Sequence, residues 1–222
     1  MNILSVDLTK NEHFIALNYE NNAYCFEFQT NDWSEKIDTL HKIENFDFKK
    51  LDCSAYAAGP GSFTGARLAF TFLNTLKFVY DVEMFAFSNL AAMNWLNDDK
   101  IPLIIGNNND FYYRENKTDF YTQDLKKVES IKNKLVMIEG SNANISPKHL
   151  IQRNQVAINI INMIASKSNS NLDSNEPNYV KSLTYRKINE WIKFLASHYI
   201  VSYSSHHRIY SCFKFSTVIA TK

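Results

Sequence analysis

Gly59-Pro60-Gly61-Ser62-Phe63-Thr64-Gly65-Ala66-Arg67 holds three of the five glycines in the 222-residue chain. Glycine this scarce and this clustered marks backbone that a Cβ would obstruct. An apolar run from Cys53 to Ala58 precedes the cluster, and a long helical pattern from Ala66 to Val79 follows it. Strand, tight turn and helix N-terminus in that order form a corner suited to a phosphate or to a docking partner. A plain strand-to-helix turn, with Ser62 or Thr64 as N-cap, is the simplest reading of the same residues. A P-loop is excluded. That motif needs Lys directly after its last glycine, and here Gly65 leads into Ala66-Arg67, with no Gly-Lys pair anywhere in the chain.

Outward from this corner, hydrophobic periodicity predicts strands at residues 2–7, 13–19, 22–28, 52–58, 82–87, 101–106, 111–115, 118–122 and 134–139. Helices are predicted at 32–44, 63–79, 88–96 and 151–167. Glu20-Asn21-Asn22 between two aromatic-rich runs is a hairpin signal. Hairpin strands followed by helix-strand-helix units predict mixed sheets with helices on their faces, an α/β or α+β architecture.

The motif's spelling says more than its geometry. Gly-Pro-Gly-Ser-Phe-Thr-Gly-x-Arg, carried by Gly59, Pro60, Gly61, Ser62, Phe63, Thr64, Gly65 and Arg67, resembles the signature of the TsaB (YeaZ) family. That family is the non-catalytic partner of the enzyme that makes threonylcarbamoyl-adenosine in bacterial tRNA. Other segments agree in kind. Ile3-Leu4-Ser5-Val6-Asp7 resembles the family's first strand, which ends in Asp. Ser88-Asn89-Leu90-Ala91-Ala92-Met93 resembles its Ser-x-Leu helix start, and Pro177-x-Tyr179-Val180-Lys181 resembles its Pro-x-Tyr-Leu-Arg. Two segments depart. Ile105-Gly106-Asn107-Asn108-Asn109-Asp110-Phe111-Tyr112 stands where the family has Asp-Ala-Arg, and Thr30 to Ser34 looks shortened. The chain is thus similar to a divergent member.

The resemblance implies an actin-like (ribonuclease H-like, ASKHA) fold in two small lobes, residues 1–100 and 101–184, followed by an extension at 185–222. It implies a subunit that supports a TsaD-like transferase, reaches a TsaE-like ATPase through the complex, and meets tRNA only indirectly. Alone, such a chain is expected to form homodimers through the same helices. The alternative is a stand-alone actin-fold enzyme, either a nucleotide-hydrolysing phosphotransferase or a degenerate peptidase.

The residues themselves weigh against that alternative. Phosphate hairpins of actin-like enzymes need glycines, because backbone N–H groups must approach the phosphates. The turn after Asp7 has no glycine, no Gly-Gly pair exists, and only Gly106 and Gly140 follow Gly65. Asp7 is then expected to cap its own turn. The histidines are His13, His41, His149, His198, His206 and His207, and none are spaced four apart as in the His-x-x-x-His metal pair of the family's catalytic relatives. Ser62 lacks the Gly-x-Ser-x-Gly frame of a nucleophile elbow. No catalytic residue, metal or cofactor is therefore expected.

What remains is a surface. On the helix after the motif, Leu68, Ala69, Phe72, Leu73, Leu76 and Val79 share an apolar face expected to be core. Arg67, Thr71, Asn74, Thr75 and Lys77 take the other side, with Phe78 among them and Phe70 at their edge. The earlier helix carries a narrow stripe of Trp33, Ile37, Leu40 and Ile43, which suits either core or a bundle seam. In the resembled family these two helices join the partner's helices. Trp33, Ile37, Phe70, Asn74, Lys77 and Phe78 are accordingly the candidate partner interface.

Hydrophobic content of 45%, charged content of 21% and a net charge of +1 describe an ordinary globular chain with no global drive toward nucleic acid. No apolar run reaches the roughly 18 residues of a membrane span. Asp7 and Lys10 interrupt any signal peptide. The isolated Cys25, Cys53 and Cys212 suit a reducing cytosol, with Cys25 and Cys53 expected buried in strands. From Trp191 to Lys222 there is no acidic residue, Gly or Pro, and Lys193, Arg208, Lys214 and Lys222 stand among aromatics. Two added strands, a loosely ordered extension, or a stacking surface for RNA all suit that composition.

Overall fold

A computed structural model describes residues 1–97, 99–141, 147, 149–167 and 172–181. The expectations for residues 185–222 lie outside the described residues. Residues Met1–Lys181 form one compact unit.

Two five-stranded mixed sheets build this unit. The first contains β1 (Ile3–Asp7), β2 (His13–Tyr19), β3 (Asn22–Phe28), β4 (Cys53–Ala57) and β5 (Glu83–Phe87), in the order β3-β2-β1-β4-β5. β1 pairs antiparallel with β2 and parallel with β4. The second contains β6 (Ile101–Ile105), β7 (Phe111–Glu115), β8 (Thr118–Thr122), β9 (Leu135–Ile138) and β10 (His149–Ile151), in the order β10-β9-β6-β7-β8. Read from β8, the second order repeats the first. In each sheet two antiparallel hairpin strands lead out from a central strand and two parallel strands continue beyond it. This is the doubled plan of the actin-like, ribonuclease H-like fold.

The helices are α1 (Trp33–His41), α2 (Phe63–Tyr80), α3 (Asn89–Met93), α4 (Leu125–Ser130) and α5 (Gln155–Ala165). Strand alternation assigns their faces. Leu4, Val6, Ile15, Leu17 and Tyr56 point to one side of the first sheet and pack with Leu40 of α1 and Ala69, Leu73 and Leu76 of α2. Ala55, Ala57 and Phe87 point to the other side and pack with Leu90 of α3, with Val156 and Ile160 of α5, and with Ile138 of the second sheet. β1 is buried on both faces, which its Ile-Leu-Ser-Val-Asp composition permits. α3 and α5 are joined by Asn159, whose Nδ2 donates to the Ala92 carbonyl at 2.8 Å.

Several expectations need correction. The sequence predicts neither β10 nor α4: β10 has three residues, and α4 has one buried residue, Val128, too little for a periodic signal. α1 and α3 are shorter than predicted, because turns with left-handed residues at Asn45 and Leu96 follow them. The hairpin turn centres on Glu20 and Asn21 (φ 48° and 65°), a primed turn. Val79 is 56% exposed rather than core, since Leu76 is the last buried residue of α2. Cys25 is exposed on the edge strand β3, while Cys53 is buried as expected. Burial pushes the Cys53 thiol up to about 11.

Candidate functional site

The glycine corner is built from the residues that the sequence singled out and from three that it did not. Asp7 ends β1 and caps its own turn: Oδ1 accepts from the Thr9 N–H at 3.0 Å and from the Thr9 hydroxyl at 2.6 Å. Its Oδ2 accepts from Lys10 Nζ at 3.1 Å. Thr9 Oγ1 in turn accepts from Asn89 Nδ2 at 2.6 Å. Asn89 Oδ1 accepts from the Gly59 N–H at 2.9 Å, and its own N–H donates to the Gly59 carbonyl at 3.0 Å. One buried amide side chain therefore stitches the first turn to the glycine loop. Ser88 marked this helix start in the sequence; Asn89, Thr9 and Lys10 carried no signal beyond lying beside it and beside Asp7.

The glycines are needed for different reasons. Gly59 adopts φ +110°, and a Cβ there would lie 3.1 Å from the Asn178 carbonyl oxygen. A Cβ on Gly61 would lie 2.8 Å from Thr9 Cβ, and one on Gly65 would lie 1.7 Å from the Leu8 carbonyl oxygen. Ser62, not Thr64, is the N-cap of α2, accepting from the Gly65 N–H at 3.2 Å. The Ser62 N–H donates to the Thr9 carbonyl at 2.8 Å. The start of α2 is thus fixed against β1, with Pro60 buried and Ser62 and Thr64 exposed beside it.

Phe63, Arg67 and Tyr179 form a surface stack at the start of α2. The Arg67 guanidinium lies 4.0 Å from the Phe63 ring centroid, and its Nε donates to the Tyr179 hydroxyl at 3.1 Å. The Phe63 and Tyr179 rings are 4.9 Å apart. This is where the Pro-x-Tyr-x-Lys segment meets the glycine motif. The same segment ties into the strands: Asn178 N–H donates to the Ala58 carbonyl at 2.8 Å, and Tyr56 OH donates to the Asn175 carbonyl at 2.8 Å.

Two carboxylates of the second sheet hold the other end of that segment. Asp119 accepts from Ser88 Oγ, from Asn178 Nδ2 at 2.9 Å and from Arg114. Asp110 accepts from Tyr121 OH and Gln123 Nε2, each at 2.8 Å, and from Lys181 Nζ at 2.6 Å. Burial raises the Asp110 carboxyl, but hydrogen bonds from Lys181, Tyr121 and Gln123 outweigh it and leave the group below the usual carboxylate range. Asp110 lies in the segment that departs from the family pattern, and neither carboxylate was legible as a partner of residues some 60 to 70 positions away.

The six candidate interface residues fall in two places. Phe70, Asn74, Lys77 and Phe78 share one stripe of α2 at 3.6-residue periodicity. Asn74 and Lys77 are exposed, and Phe78 is 90% exposed. Phe70 sits at the root of the stripe, half-buried against its own core with its ring 6.2 Å from Tyr56, so it does not project as expected. Trp33 stacks on Phe72 at 3.9 Å on the opposite side of α2, and Ile37 packs in the same core. α1 is held there by Lys36, which is fully buried with its ammonium on the Thr30 and Asp32 carbonyls and 5.1 Å from the Phe28 ring.

Among the described residues no group of three His, Cys, Asp or Glu could hold a metal ion, and no helix is long and apolar enough to cross a membrane. A groove of about 1120 Å³ lies between α3 and the β7–β8 hairpin, lined by Trp95, Arg114, Asp119, Met163 and Asn178 among others. Asp7, Thr9 and Lys10 do not line it.

Comparison with known proteins gives a consistent result. Residues 33–170 match the family model described as TsaD: tRNA N6-adenosine threonylcarbamoyltransferase. Among solved structures, an uncharacterized protein from Pseudomonas aeruginosa with similarity to peptidase YeaZ superposes with a TM-score of 0.59 at 14% identity, covering 81% of this chain and 99% of that one. YeaZ from Pseudomonas aeruginosa gives the same TM-score and identity, covering 80% and 99%. No curated protein matches the sequence.

Proposed function

From the premise that this chain belongs to the TsaD (tRNA N6-adenosine threonylcarbamoyltransferase) family and has the fold of YeaZ, we propose that it is a non-catalytic subunit in threonylcarbamoyl-adenosine modification of tRNA. It binds a TsaD-like transferase subunit through α2 and stabilises that partner's active conformation by differential binding. A TsaE-like ATPase and the tRNA join the same assembly through the transferase, and the setting is the cytoplasm.

The observation that carries this reading is Phe78, a large aromatic 90% exposed on a helix whose start is locked to β1 through Gly65. An aromatic in that position has apolar area to bury and a rigid base to present it from. The turn after β1 supports the non-catalytic part. Its Thr9 N–H is turned inward to Asp7, and the second Asp7 oxygen is neutralised by the chain's own Lys10. That leaves the Thr9 amide and the Asp7 carboxylate committed within the protein rather than facing a phosphate.

The test is calorimetric titration of the full chain into the TsaD-like subunit from the same proteome, followed by assay of the mixture for threonylcarbamoyl transfer to tRNA. Stoichiometric binding with a gain in the transferase's rate is expected. No binding, or Asp7-dependent nucleotide turnover by this chain alone, overturns the proposal.

A further inference from the structure

Residues 172–181 run from the first sheet to the second without forming a helix or a strand, and none of them is buried. Among the described residues two backbone hydrogen bonds tie the segment to the first sheet. The Leu172 N–H donates to the Ala86 carbonyl and the Asn178 N–H to the Ala58 carbonyl, each at 2.8 Å. Ala86 lies near the end of β5 and Ala58 just follows β4, so both bonds sit at the carboxyl ends of two parallel strands. Leu172 rests partly buried on the α1–α2 core. Side chains make the other ties: Tyr56 OH on the Asn175 carbonyl, Asn178 on Asp119, Lys181 on Asp110, and Arg67 on the Tyr179 hydroxyl.

The frame beneath is different. Tyr56, Ala58 and Ser88 are buried. Asp119 gathers Arg114 of β7, Asn178 and the Ser88 hydroxyl that caps α3 on one carboxylate. A segment tied to a buried frame by polar contacts, with little apolar area of its own buried, opens at a lower free energy than the frame does.

We propose that residues 172–181 are a latched strap, which opens and closes as one unit with Asp119 and Asp110 as its two catches, and whose closed state positions the first turn of α2. The catches are built to let go. Without Asn178, Asp119 keeps Ser88 and Arg114; without Lys181, Asp110 keeps Tyr121 and Gln123. Lifting the strap therefore leaves neither carboxylate without hydrogen-bond donors. It does release Arg67. In the closed state the guanidinium is held between the Phe63 ring at 4.0 Å and the Tyr179 hydroxyl at 3.1 Å; in the open state Phe63 alone remains. Phe63, Arg67, Asn74 and Phe78 fall on one stripe of α2. The strap thus sets the side chains at one end of that stripe and leaves Phe78 at the other end untouched. The consequence for docking rests on the reading of α2 as the docking helix: the closed fraction is the one that presents Arg67 in place, so the strap regulates affinity.

Native-state amide exchange of the full chain, followed residue by residue, tests the strap without any partner. The amides of Leu172 and Asn178 are expected to share one protection factor, about tenfold or more below that of Val6 and Ala55 in the centre of the first sheet. Asn178→Ala combined with Lys181→Met keeps both backbone amides and removes both catches. It is expected to lower protection at positions 172 and 178 together by about tenfold or more, with Val6 and Ala55 unchanged. Leu172 as protected as Val6 in wild type overturns the proposal, because the segment is then core. A double variant in which position 178 speeds up and Leu172 does not also overturns it, because the segment then does not move as one unit. So does equal loss of protection at Val6, which marks global destabilisation. Titration against the TsaD-like subunit tests the consequence for docking: with about a third of the chains closed, the double variant binds about threefold more weakly. Unchanged affinity with an open strap overturns that link. A wild-type chain that does not bind at all contradicts the docking helix itself, and the exchange data still decide the strap.

Discussion

The carbonyl oxygen of Leu8 occupies the space in which Gly65 would carry a Cβ, at 1.7 Å. Leu8 follows the end of β1 and Gly65 lies in the first turn of α2, so the contact is backbone against backbone and has no flexible side chain to yield. Gly65→Ala must move the helix or the turn. A loss of about 3 kcal/mol or more is expected, at the upper end of overpacking costs. Gly106→Ala is the control: its Cβ would meet Tyr112 Cε2, at the far edge of a ring, at 3.2 Å and Asp110 Cβ at 3.3 Å, contacts that need a few tenths of an ångström of give rather than the displacement of a backbone carbonyl. A loss of about 1 kcal/mol or less is expected there. Urea unfolding midpoints of the two variants decide the comparison.

Lys10 and Asp7 give a second prediction. Asp7 is fully buried, and Lys10 is its only cationic partner among the described residues. Lys10→Met leaves a buried carboxylate half-compensated. A loss of about 2 kcal/mol is expected, less than for a fully buried pair because Lys10 remains partly exposed. Asp7→Asn combined with Lys10→Met recovers most of that loss, because no uncompensated charge remains. Equilibrium unfolding of wild type, Lys10→Met, Asp7→Asn and the double variant at neutral pH measures the coupling.

His13 predicts a pH dependence. Burial lowers its pKa, the Lys36 ammonium lowers it further, and a hydrogen bond to the Thr30 backbone and the Asp7 carboxylate oppose both without reversing the shift. Its Nδ1 is buried without a partner. In the unfolded chain the imidazole titrates near 6.5, so below that pH the unfolded state binds the proton more readily. Stability is full above about pH 6.5 and falls as pH drops toward the lower folded value. His13→Gln flattens this limb. Unfolding midpoints of both chains between neutral pH and the carboxylate range give the test, and parallel curves count against it.

Asp110 contributes at a lower pH. Its folded value is depressed, so its contribution is present above the ordinary carboxylate value of about 3.9 and is lost as pH falls below it. The difference in stability between wild type and Asp110→Asn is expected to be constant from pH 7 to about 5 and to shrink only in acid. A difference that shrinks already near pH 6 assigns the dependence to another group.

Much of the fold was legible because its signals are local. Nine of the strands follow from alternation, and the motif at 59–67 placed the strand-to-helix corner. The bonds that lock the corner were not legible, because they join residues far apart in sequence through side chains with no pattern of their own. Asn89 on Thr9 and Asn178 on Asp119 are of this kind. Burial erred where an element runs past its cover. Val79 has the period of a core residue but lies beyond Leu76, and Cys25 lies on an edge strand whose outer neighbours no sequence pattern reports. Trp33 and Ile37 read equally well as core or seam, and the stack of Trp33 on Phe72 places that side of α1 against α2.

Phe78 and Phe70 separate partner binding from core packing on one helix stripe. Phe78 is 90% exposed, so Phe78→Glu is expected to change monomer stability by no more than about 0.5 kcal/mol. If α2 docks on a TsaD-like subunit, the same change removes an aromatic anchor and sets a carboxylate against the partner. A cost of about 2–4 kcal/mol, roughly 30- to 1000-fold in Kd, is expected. Phe70 packs beside Tyr56 in the chain's own core. Phe70→Ala is therefore expected to cost the monomer about 2 kcal/mol, less than full burial would give. Its effect on affinity follows only from any shift of α2. Thermal unfolding of each variant alone, paired with titration against the transferase subunit, reads both quantities. Unchanged affinity in Phe78→Glu places the docking surface elsewhere. Collapse of the Phe78→Glu monomer returns that residue to the core.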